Sequence, residues 1–351
     1  VSLHRKLAAK AGAQSIVLTS EEWTPEGRTY AWAARSAVRA ILFGGAKIKG
    51  LKTKPVEEKP LKSIFWVTND EQAQNEVALA VRQGAALAQA MIWGKQLADL
   101  PPNICTPSFV AEAAQALAEE INTEKGWKDK KEGKNRNKCV RCTVFDADEL
   151  EKRGMQGILS VGQGSRQKPC LVELAYSGAA GEAPICIVGK GITFDAGGLN
   201  LKPGRSMPEM KYDMCGAAAA LAVVKAAAEL ELPVNITALA PCAENLPSGK
   251  ALKPADVITM ANGMTVEVLN ADAGGRLILA DALSYADSLK PAACLDLATL
   301  TGACIVALGT DVTGLFTDDD ALAQELLEAA DAADDAAWRM PMGGRYRELL
   351  K

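Results

Sequence analysis

Histidine is nearly absent from this 351-residue chain, which contains a single one, His4. Catalysis of the Ser–His–Asp or Cys–His type requires a histidine base, and an HExxH zinc site requires two histidines. One histidine near the start of the chain therefore argues strongly against both kinds of site. Any hydrolytic site must rely on carboxylates, lysines and arginines, and any metal ion would be held without imidazole.

Other features that the sequence lacks exclude further classes of function. No apolar run approaches the roughly 20 residues that span a membrane, so no membrane partner is expected. Acidic and basic residues nearly balance, 43 against 39, whereas a nucleic-acid-binding surface needs clustered positive charge. The phosphate-binding patterns GxGxxG and GxxxxGK(S/T) do not occur.

Cysteine is present, but its number and spacing do not indicate a disulfide framework. Nine cysteines, an odd number without regular spacing, indicate reduced thiols and an intracellular, cytoplasmic protein. Organelle targeting stays open, because the sequence begins at Val1 and a transit segment could precede it. For the one CxxC pair, Cys139 and Cys142, a surface loop is favoured over a zinc site, which needs further ligands.

The pattern along the chain predicts an α/β protein with two domains. Residues 1–74 predict a small N-terminal α/β domain, shortened at its start. Residues 75–100 keep apolar residues at helical spacing and predict a connecting helix, which the prolines of DLPPNICTP end. Residues 101–351 predict a larger α/β domain with a mixed, mostly buried sheet, which we expect to lack its C-terminal part.

Strands and helices alternate in the larger domain. The predicted strands are CTVFD, LVELAYS, ICIVGK, NITALAP, TVEVLN and AACLDLA. The predicted helices are SFVAEAAQALAEEI, DMCGAAAALAVVKAAAEL, RLILADALSYADSL and the acidic DDDALAQELLEAADAADDAAW. The charged stretch at residues 124–138 has no periodicity and predicts a solvated loop, with a nucleic-acid patch as a distant alternative.

Polar residues follow several predicted strands, where α/β enzymes place their chemistry. Lys190 ends a buried strand, and Asp195 and Lys202 follow it on a glycine-rich loop. A lysine at a strand end is commonly solvated, but two lysines and an aspartate on one tight loop favour a functional role. Asp213, taken alone, is better explained as the N-cap of the next helix.

The stretch VEVLNADAGGRLILADAL, residues 266–283, adds Asp272 and Arg276 in a turn between a strand and a helix. Helix capping by Asp272 is again an alternative. Three converging aspartates would repel one another unless divalent cations neutralised them. A lysine can bind a metal only as the neutral amine, whereas the other lysine and the arginine would stay cationic and could stabilise an oxyanion.

Five segments together resemble the leucyl aminopeptidase family, the M17 cytosol aminopeptidases: VGKGITFDAGG, LKPGRSMPEMKYDMCGAAAA, PCAENLPSGKALKP, VEVLNADAGGRLILADAL and LATLTGAC. They occur in the family's order and spacing, and the resemblance covers the chain from about Asp99 onward. It implies a small N-terminal α/β domain, a larger catalytic α/β domain and assembly into a homo-hexamer.

The resemblance also implies a function, the release of N-terminal, leucine-like residues from peptides by an enzyme with two zinc or manganese ions. The ions would activate a water molecule and polarise the scissile carbonyl, and one ion would also bind the substrate's free amine. By motif position, the metal ligands are Lys190, Asp195, Asp213 and Asp272.

Further site residues follow from the same motifs. Lys202 and Arg276 match the catalytic cations, and the family links this arginine to a bound bicarbonate that serves as base. Part of the substrate pocket matches Met210, Thr299, Leu300, Thr301 and Gly302.

One departure from the family pattern concerns the metal site directly. The family's signature turn reads Asn-Thr-Asp-Ala-Glu-Gly-Arg, whereas residues 270–276 here read Asn-Ala-Asp-Ala-Gly-Gly-Arg. Gly274 therefore stands where a glutamate bridges both ions. Loss of a residue that merely supports a ligand typically costs roughly 10–100-fold in affinity or activity, so loss of a shared ligand should cost more.

Three hypotheses follow for the chain as written. It is an aminopeptidase with a weakened or altered metal site, or a catalytically inactive relative kept as a structural or assembly component. In the third hypothesis, Gly274 is an engineered change or an error of sequence assignment in an ordinary aminopeptidase. The missing glutamate favours low or absent activity.

Overall fold

The computed structural model describes residues 15–47, 51, 53, 62–127 and 138–348. His4 and residues 128–137 of the charged stretch lie outside the described residues. The chain divides into two compact units, Val1–Thr299 and Leu300–Lys351. The domain boundaries expected at residues 74 and 100 remain a prediction.

The first described elements form a small α/β layer. Strands β1 (Ser15–Thr19) and β2 (Ser63–Val67) pair in parallel, with the helices α1 (Ser20–Trp23) and α2 (Tyr30–Phe43) beside them. Helix α2 begins after Thr29, whose hydroxyl accepts a hydrogen bond from the Trp32 amide and so satisfies a free donor of the first turn. Leu18 of β1 packs against the apolar face of α2 in a small core of its own.

The long helix α3 (Gln74–Asp99) connects this layer to the rest of the unit. Glycines allow close packing on both sides, since Gly84 lies against the backbone of Arg35 and Gly94 against that of Ala218. The helix ends before Pro101, as the sequence predicts, because the residue preceding proline disfavours helical geometry.

A mixed six-stranded sheet forms the centre of the first unit and confirms the predicted α/β class. Its strands lie in the order β10-β5-β7-β4-β3, and β6 also pairs with β7. Strands β3 and β4 run antiparallel to their neighbours, whereas β5, β6, β7 and β10 run parallel to one another. Their bounds are β3 (Cys139–Phe145), β4 (Cys170–Ser177), β5 (Ile185–Gly189), β6 (Gly191–Asp195), β7 (Asn235–Asn245) and β10 (Ala293–Leu297).

Helices cover both faces of this sheet and create two cores. One core lies between the sheet and the helices α4 (Pro107–Glu124) and α7 (Cys215–Glu229). The other lies between the sheet and the helices α5 (Ala147–Lys152), α6 (Gln156–Gly162) and α8 (Gly274–Ser288). Strand β7 is buried from its second residue onward, as expected for a strand covered on both faces.

Two local predictions are wrong. The TVEVLN segment does not extend the central sheet, because only Thr265–Glu267 (β9) is a strand and it pairs antiparallel with β8 (Val257–Thr259). Cys139 and Cys142 lie in strand β3 rather than in a surface loop. Residues three apart in a strand face opposite sides of the sheet, so the two thiols cannot share a metal ion.

The second unit begins after Thr299 and contains short elements around one longer helix. Strands β11 (Thr313–Leu315) and β12 (Ala337–Arg339) pair in parallel, and the remaining elements are α9 (Gly302–Leu308), α10 (Asp320–Ala333) and α11 (Gly344–Arg347). The carboxylate of Asp319 caps α10 at the Leu322 amide, which confirms the predicted acidic helix. Among the described residues, no helix combines the length and apolarity needed to cross a membrane.

Asp281 is a fully buried carboxylate that ties three elements together. From α8 it accepts hydrogen bonds from the amide of Ile158 in α6, at 3.0 Å, and from that of Ala261 after β8, at 2.9 Å. Burial raises the pKa of this carboxyl above its usual value, and the backbone donors oppose that effect.

Replacing Asp281 by alanine should lower the free energy of unfolding by about 3 kcal/mol, because buried amides would lose their acceptor. Urea unfolding followed by circular dichroism measures the change. Asp287→Ala, at an exposed position of the same helix, is the matched control and should change stability by less than about 0.5 kcal/mol. Equal effects of the two substitutions would contradict the structural role given to Asp281.

Candidate metal centre

The candidate site lies at one edge of the central sheet. Lys190 follows β5, Asp195 ends β6, Asn245 ends β7 and Thr299 lies just beyond β10. Because these four strands are parallel, their carboxyl ends meet at the same edge. The fold thereby brings together polar residues that are up to about 110 positions apart in sequence.

Lys190 and Asp213 form a buried ion pair. The Lys190 ammonium donates to Asp213 Oδ1 at 2.6 Å and to the carbonyl oxygen of Thr299 at 2.8 Å. The Thr299 hydroxyl also donates to Asp213 Oδ1, at 2.7 Å. The lysine reaches this position because Gly275 has no side chain, and a Cβ there would overlap the end of the Lys190 side chain.

The other carboxylate oxygen of Asp213 has no such partner. Asp213 is 6% exposed, and its Oδ2 is buried without a hydrogen bond from the described residues. Burial raises the pKa of Asp213 to about 6, Lys190 and Thr299 counteract this rise, and the nearby Asp195 carboxylate adds to it. A buried acceptor left in this way is suited to a cation.

Asp213 is therefore not the helix cap that it resembles in the sequence. Helix α7 begins at Cys215, and its N-cap, Met214, makes no side-chain hydrogen bond to the first turn. Asp272 is not a helix cap either, since Ala273 holds that position for α8. Both carboxylates point to lysines instead, so the capping interpretations of the sequence are wrong.

Lys202 lies between Asp195 and Asp272. Its ammonium is 3.3 Å from Asp195 Oδ2 and forms a second ion pair with Asp272 Oδ1. Burial lowers the pKa of Lys202, but the hydrogen bonds and charges of the two carboxylates outweigh burial and raise it above the usual value. Lys202 is therefore a firmly protonated cation with two anionic partners.

The loop that carries Lys202 needs glycine at two positions. Gly197 and Gly198 have φ angles of +90° and +60°, in the region that side chains other than glycine rarely adopt. A Cβ at Gly198 would lie 2.7 Å from Asn245 Oδ1. The glycine pair thus lets the loop turn sharply beside Asn245.

Asn245 supports the site, and the sequence assigned it no role. Its Nδ2 donates to Asp195 Oδ1 and to the carbonyl oxygen of Ala271, both at 2.9 Å. One amide thus fixes the carboxylate at the end of β6 to the turn that carries Asp272. The available signal was an amide at the end of a buried strand, inside the PCAEN segment that the resemblance already included.

Comparison with known proteins identifies the family. Residues 92–351 match the catalytic domain of the cytosol aminopeptidase family. The chain belongs to this family. It is 45% identical over 350 residues to the probable cytosol aminopeptidase of Dechloromonas aromatica (strain RCB), covering 99% of this chain and 66% of that protein.

Other relatives agree with this assignment. The probable cytosol aminopeptidase of Paraburkholderia phymatum is 46% identical over 326 residues, which cover 92% of this chain and 61% of that protein. The chain spans about two thirds of the length of such relatives. A solved structure, the bottromycin maturation enzyme BotP in complex with Mn, is similar with a TM-score of 0.83 and 32% identity, covering 100% of this chain and 72% of BotP.

Gly274 is buried at the start of α8. A Cβ at this position would lie 3.1 Å from Val161 Cγ1, 3.3 Å from Asn245 Nδ2 and 3.5 Å from Ile192 Cδ1. A side chain at residue 274 would therefore lie beside the Asn245 amide, which donates a hydrogen bond to Asp195. The first two of these distances are shorter than ordinary van der Waals contact, so Val161 and the Asn245 amide would have to shift slightly.

The remaining predicted site residues make fewer contacts with the groups described above. Arg276 is exposed and has no ion pair with any described residue. Met210 is half-buried in a short 3₁₀ helix, Met207–Tyr212. Leu300, Thr301 and Gly302 are exposed at the start of the second unit, where the Thr301 hydroxyl caps α9.

The three aspartates do not by themselves form a metal cage. Within the part of the chain that the structure describes, no three His, Cys, Asp or Glu side chains lie close enough to hold a metal ion. Each aspartate instead has a lysine partner. The donor set fits a cation at Asp213, whose free oxygen is buried, better than it fits one between Asp195 and Asp272.

Replacing Asn245 by alanine should weaken Mn²⁺ binding about 10–100-fold, the usual cost of removing a group that orients a ligand. Isothermal titration calorimetry of the variant and the parent chain measures the difference. Asn69→Ala, at an exposed position, should leave the affinity unchanged. Unchanged affinity in a folded Asn245→Ala protein would refute the supporting role of this amide.

Proposed function

We propose that this protein is a metal-dependent aminopeptidase that releases N-terminal, leucine-like residues from peptides. The observation that carries the proposal is Asp213 Oδ2, a buried carboxylate oxygen without a hydrogen bond, beside a buried lysine. Membership of the cytosol aminopeptidase family supports the reaction class, and the Mn complex of BotP supports a divalent ion.

The proposed ligands are Lys190, Asp195, Asp213 and Asp272, which would hold two zinc or manganese ions. When bound, a divalent ion lowers the pKa of water and polarises a carbonyl group. Lys190 would have to lose its proton to act as a ligand. The Thr299 hydroxyl and carbonyl hold Lys190 and Asp213 in position for that role.

Lys202 is the proposed oxyanion donor. Its ammonium is fixed by two carboxylates and remains protonated at neutral pH, so it needs little reorganisation to stabilise negative charge on the scissile carbonyl oxygen. Arg276 is exposed beside the same turn, and we assign it the bicarbonate that the family uses as base. Its lack of an ion pair with the described residues leaves it available to an anion.

Finer features rest on the family alone. We propose that Met210, Thr299, Leu300, Thr301 and Gly302 contribute to the substrate pocket. We further propose a homo-hexamer in the cytoplasm, with a small N-terminal domain at residues 1–74, a connecting helix at 75–100 and the catalytic domain from 101 onward.

A second candidate function is that of a catalytically inactive structural or assembly component. The observation that favours it is the packing around Gly274. The glutamate is missing, and Val161 Cγ1 would lie only 3.1 Å from a Cβ at this position. A family member freed from catalysis could retain the fold and lose this ligand.

Hydrolysis of leucine para-nitroanilide with added Mn²⁺ or Zn²⁺ tests the enzymatic proposal. We expect measurable activity that Lys202→Met lowers about 100-fold or more, the usual cost of removing an oxyanion donor. Lys168→Met, at an exposed lysine, should keep full activity. No turnover with either metal would contradict the proposed enzymatic function and favour the structural one.

Restoring the glutamate tests the role of Gly274. Gly274→Glu alone should give a smaller gain than a variant that also shortens Val161, because Val161 Cγ1 would lie 3.1 Å from the new Cβ and would have to shift. The double variant Gly274→Glu/Val161→Ala should exceed the parent chain by about 10-fold or more in kcat/KM, the usual scale of a metal-site defect.

Val161→Ala alone is the control for that experiment and should not raise activity. Equal activity of the parent and the double variant would show that the bridging carboxylate is unimportant here. If the double variant is folded and inactive, the structural function is favoured.

A further inference from the structure

The 3₁₀ helix Met207–Tyr212 contains no buried residue, although it carries Met210, a proposed substrate contact. Its backbone hydrogen bonds are local, since the Glu209 amide donates to the carbonyl oxygen of Ser206 and the Asp213 amide to that of Met210, both at 3.3 Å. Burial and local hydrogen bonds therefore fix this segment only weakly. Side-chain contacts with other elements matter more for its position.

Two neighbouring side chains of the segment contact a single residue, Asp99, at the end of the long helix α3. The Lys211 ammonium donates a hydrogen bond to the carbonyl oxygen of Asp99 at 3.0 Å. The Tyr212 hydroxyl donates a longer one, at 3.5 Å, to Asp99 Oδ1. Among the described residues, these two hydrogen bonds join side chains of the segment to a distant part of the chain.

The end of α3 is a favourable place for a lysine. The last carbonyl groups of a helix lack partners within the helix, and their dipoles attract positive charge. Lys211 supplies that charge, and its ammonium also lies 4.7 Å from the centroid of the Tyr212 ring, within the range of a cation–π contact. The Asp99 carboxylate is itself paired with Lys95, one turn earlier in α3.

Helix α3 is also fixed relative to the helix that follows the segment. Its Gly94 packs against the backbone of Ala218 in α7, and α7 begins two residues after Asp213. The Asp99 carbonyl therefore has a defined position next to the segment, and Lys211 joins the segment to it.

We propose that Lys211 is a positioning residue, which holds Met210 in place for the substrate through its hydrogen bond to Asp99. A 3₁₀ helix has about three residues per turn, so adjacent side chains point in different directions. Lys211 can therefore contact α3 while Met210 is left for another partner. The inference rests on the proposed function, because it requires Met210 to contact the substrate.

The metal site should depend much less on Lys211. Asp213 lies two residues further along the chain, and its carboxylate has a contact of its own with the Thr299 hydroxyl, at 2.7 Å. Loss of the Lys211 hydrogen bond should thus alter substrate binding and leave metal binding close to that of the parent chain.

Kinetics of Lys211→Met with leucine para-nitroanilide at saturating Mn²⁺ test the inference. Methionine is a long side chain without a donor or a charge. We expect KM to rise about 10-fold, the scale of a lost apolar contact in a specificity pocket. The kcat should stay within about twofold, because a loss of substrate binding alone raises KM without changing kcat. The KM for alanine para-nitroanilide, which has a smaller side chain, should rise less.

Two further variants separate positioning from general damage. Lys211→Arg keeps a cationic donor and should retain the KM of the parent chain. Arg205→Met removes an exposed cation from the preceding turn and should leave both constants unchanged. Isothermal titration calorimetry should give similar Mn²⁺ affinities for all three variants and the parent, and circular dichroism confirms that each is folded.

Limited trypsin digestion without metal gives a second measurement that does not depend on activity. Loss of the Lys211 hydrogen bond should loosen the segment and speed cleavage after Arg205 about 10-fold in Lys211→Met, the scale of one hydrogen bond from a charged group. Cleavage after Arg205 in Lys211→Arg should match that of the parent chain.

Unchanged KM and unchanged cleavage in Lys211→Met would refute the inference. A fall in kcat at constant KM would also overturn it, because Lys211 would then affect the chemistry rather than substrate binding. If the parent chain shows no turnover, the proposed function is wrong. Faster cleavage in Lys211→Met would then still support the role of Lys211 in holding the segment, and unchanged cleavage would refute that role as well.

Discussion

The site depends on one constraint, which is that lysines compensate the buried Asp195 and Asp213 and the half-buried Asp272. A carboxylate buried without a partner is too costly to keep. The chain meets this cost with Lys190 for Asp213 and with Lys202 for Asp195 and Asp272. The compensation is incomplete at Asp213 Oδ2, and that incompleteness is what makes the edge of the sheet a candidate metal centre rather than a structural ion-pair network.

The fold holds these side chains at fixed positions. Four parallel strands deliver Lys190, Asp195, Asn245 and Thr299 to one edge, and the small residues of α7 and α8 allow those helices to pack closely behind them. Asn245 then joins the end of β6 to the turn that carries Asp272. The same packing surrounds residue 274, since Val161, Ile192 and Asn245 lie nearest to the position that a Cβ would take there.

The sequence predicted the class of the fold, the long helix and most central strands, because buried apolar runs and helical spacing are local signals. It also predicted Lys190, Asp195 and Lys202 as functional. Alone, Asp213 was better explained as a helix cap and capping was an alternative for Asp272, because a capping aspartate and an ion-paired one look the same in sequence. Asn245 received no role because its two partners, Asp195 and Ala271, are distant in the chain. The strand predicted for TVEVLN was longer than β9, because the pairing of β9 with β8 depends on tertiary contacts.

The most direct test of the account is a crystal structure of the Mn²⁺-loaded chain with anomalous diffraction data collected at the manganese edge. The account predicts a strong anomalous peak bonded to Asp213 Oδ2. A map without a peak at Asp213, from crystals shown by fluorescence to contain manganese, would contradict the central claim that this uncompensated carboxylate oxygen is a metal ligand.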